Sequence, residues 1–183
     1  FGGIENYNDQ DSVNAYWELT GAGLREPGEL LEAIACKSRD NARTPMQWSD
    51  APNAGFTTGK PWLMVNPNYV TINAEAQLKD PDSVFHYYKK LIALRRNSKW
   101  SDIIVYGKYA LLAPEDEKIF AYVRDYEGKK LLVVCNMSAE AVSFTVPEEV
   151  QWTEAEAVIG ANAPEALERT MELKPWAASV WAI

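Results

Sequence analysis

The chain has 183 residues, 47% of them hydrophobic and 24% charged, which suits one sizeable domain or two small ones and rules out global disorder. Its formal net charge of −8 excludes a nucleic-acid or anionic-membrane partner, either of which needs clustered basic side chains. No apolar run approaches the roughly 18 residues of a membrane span.

The opening "FGGIENYNDQ" has neither the basic nor the apolar part of a signal peptide. It also lacks an initiator Met, a first sign of a piece of a longer protein. Residues 1 to about 100 then read as helices and loops. "DQDSVNAYWELTG" places Val13, Tyr16 and Trp17 at i, i+3 and i+4 behind acidic and Ser cap candidates. "REPGELLEAIACK" puts Pro27 where a first helical turn tolerates it and Leu30, Leu31 and Ile34 on one face. "SRDNARTPMQWSDAPNAGFTTGKPW", residues 38–62, is periodic in neither sense and reads as a long ordered loop, a kind of segment that is usually functional. A short "INAEAQLKD" segment follows. "DPDSVFHYYKKLIALRRN" is the clearest helix, with Asp80 as cap, Pro81 in the first position, an apolar stripe of Val84, Phe85, Tyr88, Leu91 and Ile92, and Arg95 and Arg96 at the negative end of the dipole.

From about Ile103 the grammar changes. "IIVYGKYALL", "KIFAYVRDY", "KLLVVCNMS", "AVSFTV", "EAEAVIG", "RTMEL" and "ASVWAI" are short runs rich in Val, Ile, Tyr and Phe, parted by turn signals such as "EG" at 127–128. Such spacing predicts an antiparallel sandwich or barrel. "LLVVC" at 131–135 is apolar on both faces, as a covered central strand would be.

Few residues carry an obvious chemistry. His86, the single histidine, lies inside the long helix and is read as structural. Cys36 and Cys135 sit in apolar runs and are read as inert buried thiols; with no disulfide framework they favour a reduced, cytoplasmic setting. No zinc pattern, nucleophile elbow or phosphate-binding glycine loop is present, so no metal and no cofactor is expected. Paired carboxylates are the remaining catalytic option. Asp9, Asp11, Asp40, Asp50, Asp80, Asp82, Glu115, Asp116 and Glu117 all lie in loops or at helix starts, where caps and turns account for most of them. No pair stands out, so no catalytic residue is expected in this chain. Arg39 and Arg43 are different: they flank Asp40 and Asn41 in the long loop, and a guanidinium can hold sugar hydroxyls or a carboxylate. Spacing alone leaves two readings open, ligand binding or bracing of the loop through Asp40 or backbone carbonyls.

"SRDNARTPMQW", "NAGFTTGKPW", "VNPNY", "DSVFHYYKKLIALRR" and "IFAYVRDYEGKKLLVVCNMS" together resemble glycoside hydrolase family 13, in the oligo-1,6-glucosidase branch with dextran glucosidase and trehalose-6-phosphate hydrolase. The resemblance covers nearly the whole chain. It implies a mainly β fold: a C-terminal antiparallel β-sandwich, residues 103–183, preceded by a helix-and-loop segment, residues 1–102, that is the last part of a (β/α)8 barrel. It implies a retaining α-glucosidase acting on α-1,6-linked isomalto-oligosaccharides, whose nucleophile, acid/base and stabilising carboxylates lie before Phe1. By the same resemblance an arginine of the 38–62 loop holds the terminal glucose, with Arg39 the first choice and Arg43 the second. The isolated chain would then be inactive, with its apolar 84–92 face covered either by the 1–35 helices or, through self-association, by a second copy. The alternatives are a piece of a trehalose-6-phosphate hydrolase or, in another class, an independent carbohydrate-binding sandwich using some of the seven tryptophans.

Overall fold

A computed structural model describes all of Phe1–Ile183. The chain divides into two compact units, Phe1–Lys89 and Lys90–Ile183. No helix is long and apolar enough to cross a membrane.

The first unit is helices and loops. α1 (Gln10–Gly21) and α2 (Pro27–Lys37, with Pro27 in its first turn) pack Val13, Tyr16, Leu30, Leu31 and Ile34 around Ile4 and Tyr7. Trp17, expected on the same face, is exposed instead. Residues 38–73 have only single 3-10 turns, at Arg39–Ala42, Pro52–Gly55 and Pro67–Val70. Specific hydrogen bonds order this stretch. The amides of Trp48 and Ser49 both donate to the Ala54 carbonyl, and those of Ala74 and Glu75 donate to Gln47 and Trp48. Asn73 caps α3 (Ala74–Lys79) through the Ala76 amide. α4 (Val84–Asn97) begins later than the sequence predicts. Asp80 accepts from the Asp82 amide in a turn of its own, and the cap is Ser83, whose carbonyl and hydroxyl receive the Tyr87 and His86 amides. The His86 imidazole meets the Leu78 carbonyl at 3.2 Å, a structural contact.

In the second unit "IIVY" is helical rather than extended: α5 spans Ser101–Tyr106. Its β-branched residues favour a strand, but Ser98 and Ser101 exchange hydrogen bonds at its start, and Ile103 is buried against Leu131 and Ala182. Tertiary packing overrides the local preference. The strands that follow are β1 (Lys108–Leu112), β2 (Ile119–Tyr126), β3 (Lys129–Asn136), β4 (Val142–Thr145), β5 (Glu156–Ala161), β6 (Thr170–Leu173) and β7 (Ala178–Ala182). They form an antiparallel five-stranded sheet, ordered β1-β2-β3-β7-β5, and a two-stranded sheet, β4-β6. β3 is central, as its two-sided apolar pattern requires. Glu127 and Gly128 both take positive φ in the two-residue β2–β3 turn, the geometry that suits the right-handed strand twist. Leu112, Ile119, Ala121, Val123, Leu132, Val134 and Trp181 from the large sheet meet Phe144, Met171 and Leu173 from the small one to form the core. Trp152 packs on its edge under the Arg169 guanidinium. Trp176 is exposed in a turn at positive φ. Cys135 is half-buried, but Cys36 is exposed, because it falls on the outer side of α2.

Candidate functional site

The 38–62 loop is clamped at both ends to residues 8 and 9. Asp40 is fully buried, and its Oδ2 accepts from the amides of Asn8 at 2.6 Å and Asp9 at 2.7 Å. At the far end the Asn8 side-chain amide donates to the Trp62 carbonyl at 2.7 Å. Asn8 therefore closes a loop of more than twenty residues with two hydrogen bonds, which offsets part of its closure entropy. Asp40 Oδ1 and the buried Tyr7 hydroxyl have no hydrogen-bond partner.

Asp9 occupies the N-cap position of α1 but spends its carboxylate elsewhere. It accepts from the Ser12 and Ser38 hydroxyls and from Arg39, whose Nε and Nη2 reach Oδ1 at 3.0 and 2.6 Å. Arg39 Nη2 also lies 2.8 Å from Asp11. The hydrogen bond from Arg39, reinforced by that from Ser12, holds the Asp9 carboxyl down to about 2. Asp9 in turn raises the Arg39 pKa.

These positions decide what the carboxylates can do. Asp9 stays ionised and paired near neutral pH, and Asp40 is committed to two backbone amides. Neither is poised to exchange a proton with a substrate. No group of three or more His, Cys, Asp or Glu is placed to hold a metal ion. The two candidate arginines fare differently. Arg39 is tied to Asp9 and Asp11 rather than to Asp40, the partner that spacing suggested. Arg43 is exposed, and although its amide donates to the Asp40 carbonyl, its side chain forms no hydrogen bond or ion pair, so its five guanidinium donors are free. Its neighbours Asn41 and Thr44 line a cleft of about 460 Å³ with Phe1, Met64 and Asn66. Sequence spacing missed Asp9 and Asn8, whose partners lie some thirty and fifty residues away. Only the run of short polar residues "NYNDQDS" hinted at a bonding hub.

Comparison with known proteins shows the family. Residues 10–107 match the family model for the alpha amylase catalytic domain, and residues 109–180 match that for the maltogenic amylase C-terminal domain. A catalytic-domain segment followed by such a sandwich defines the class as glycoside hydrolase. The chain is 45% identical to oligo-1,6-glucosidase of Parageobacillus thermoglucosidasius, over 100% of this chain and 32% of the relative. It is 40% identical to trehalose-6-phosphate hydrolase of Bacillus subtilis, again over 100% of this chain and 32% of the relative. Among solved structures, trehalose-6-phosphate hydrolase of Bacillus licheniformis superposes with a TM-score of 0.92 at 39% identity, covering 100% of this chain and 33% of that one. The chain belongs to the alpha-amylase family, glycoside hydrolase family 13, in the branch of the oligo-1,6-glucosidases. It spans about a third of the length of the curated relatives it matches.

Proposed function

We propose that these 183 residues serve as the C-terminal third of a retaining α-glucosidase that hydrolyses α-1,6-linked isomalto-oligosaccharides. Residues 1–102 complete its catalytic barrel and 103–183 form the accessory sandwich. Hydrolysis by this route passes through a covalent glucosyl-enzyme made and broken by a pair of carboxylates. Those carboxylates are contributed by the part of the protein outside these residues, so the chain alone does not cleave glycosides. The single observation that carries the reading here is the clamped loop with one committed arginine and one free one. Arg39 positions the loop through Asp9, and Arg43 donates to glucose hydroxyls. Trehalose-6-phosphate hydrolase is the second reading, favoured by the 40% identity along the entire chain. The setting is cytoplasmic, consistent with two free thiols, one of them exposed.

The test joins this chain to the preceding residues of the P. thermoglucosidasius enzyme. Arg43→Ala should lower kcat/KM on isomaltose about 10- to 10²-fold, the value of a hydrogen bond from a charged donor. Arg39→Ala should lower Tm by several degrees, with kcat/KM within about threefold once measured well below that Tm. A harmless Arg43→Ala would sink the assignment.

The α4 stripe is open in this chain: Val84, Phe85, Tyr88 and Ile92 are all exposed. The isolated chain self-associates through it. Sedimentation velocity should show a concentration-dependent dimer that Phe85→Ser with Ile92→Ser abolishes, and a strictly monomeric parent chain would refute this.

A further inference from the structure

We propose that a second cleft of the first unit, built on Trp62 and Lys60, binds the glucose units on the leaving side of the bond to be cut. The proposal deepens the reading of the chain as part of an α-glucosidase and rests on it.

This cleft adjoins the one beside Arg43, because Met64 lines both. Its volume is about 410 Å³, within the range of small-molecule sites, and its walls come from Glu5, Asn8 and the far end of the clamped loop. With the terminal glucose at Arg43, every further unit of the substrate lies on the leaving side. The adjoining cleft is the open space beside it. Trp62 supplies the apolar surface there. Its backbone carbonyl is bonded to Asn8, yet its side chain is 54% exposed, so the residue is anchored while its ring is not spent on the core. An anchored indole offers the C–H face of a glucose ring a large contact area at little cost in lost rotamers.

The polar groups are oriented in advance. The Asn8 side-chain amide donates to the Trp62 carbonyl at 2.7 Å, and that of Asn53 donates to the carbonyls of Thr57 and Gly59 at 3.2 and 3.1 Å. These bonds fix both amide planes and leave each Oδ1 without a partner. Lys60 is exposed and forms no ion pair. Two oriented acceptors and one free ammonium suit sugar hydroxyls, which both donate and accept. Groups held in this way lose little freedom on binding. The left-handed backbone of Asn53 accounts for an Asn at that position, but not for the exposed indole and the unpaired ammonium two residues apart. A phosphate suits the cleft less well than a neutral sugar, because the Glu5 carboxylate lines it too.

Chain-length preference tests this in the joined protein. Trp62→Ala should lower kcat/KM on isomaltotriose at least about tenfold, and Lys60→Ala at least about threefold. On methyl α-glucoside, whose leaving group is too small to reach the cleft, both variants should stay within about twofold of the parent. Equal losses on the two substrates, or no loss on isomaltotriose, would overturn the proposal. So would a Trp62→Ala protein of lower Tm and unchanged preference, since Trp62 would then be a packing residue. Should Trp62→Ala fail to fold, Lys60→Ala decides, because it removes only an exposed, unpaired group. The cleft lies wholly within these 183 residues, so binding is also read without turnover. In an isotope-labelled isolated chain, isomaltotriose should shift the side-chain amide signals of Asn8 and Asn53. No shift there overturns the proposal, as does tighter binding of glucose 6-phosphate that Lys60→Ala abolishes. A joined protein that cleaves no glucoside, beside an isolated chain that shows these shifts, supports the cleft and counts against the functional reading alone.

Discussion

Asp9 is the residue whose charge the first unit depends on most visibly. Its carboxyl titrates at about 2, held down by Arg39 and Ser12, against about 3.9 for a free aspartate. A depressed carboxyl stabilises the fold fully above its unfolded value and loses that contribution as pH falls through the folded one. The parent chain should therefore lose Tm between about pH 4 and 2, whereas Asp9→Asn, less stable at pH 7, should show a shallower decline. The two curves converge toward pH 2. Parallel curves across that window would mean that the Asp9 charge does not act on stability. The sequence alone could single out Arg39 and Arg43 as donors in a functional loop, because residue type and irregularity are local properties. It could not tell the committed arginine from the free one, because Asp9 stands thirty residues from Arg39 and no spacing rule reaches that far.

At the scale of elements, periodicity served where one face of an element is buried within its own unit. Val13 and Tyr16 of α1, the stripe of α2, the central β3 and the β2–β3 turn all follow from local pattern, while Trp17 does not. It failed at α5, where Ile103, Ile104 and Val105 read as a strand but fold as a helix over the sheet. Gly107 shows why the chain must turn there. A Cβ on it would lie 2.4 Å from the Ile103 carbonyl oxygen and 3.2 Å from Arg124 Cβ. Gly107→Ala must push α5 off its seat or break its cap with Arg124, so it should lower Tm by several degrees and speed hydrogen exchange at Leu131. An alanine variant with unchanged Tm and exchange would show that the close approach relaxes at no cost. The start of α4 was missed for a related reason: Asp80 and Pro81 make a plausible cap, yet Asp80 is used in the preceding turn and Ser83 takes over.

For the molecule as a whole, the contrast lies in how each unit closes. The second unit has a two-sheet core with Leu132, Val134 and Val146 fully buried. The first buries only Ile4, Tyr7 and Ile34 in its cluster and leaves Trp48, Trp62, Met46 and Ile72 exposed. Apolar side chains left open on both units are what one third of a larger enzyme would show. The most direct test of that account is turnover. Joined to the preceding residues of the P. thermoglucosidasius oligo-1,6-glucosidase, the chain should yield an enzyme that releases glucose from isomaltose, while the 183 residues alone release none above a vector-only control. A joined protein that folds cooperatively but cleaves no α-glucoside, or an isolated chain that does cleave one, would contradict it.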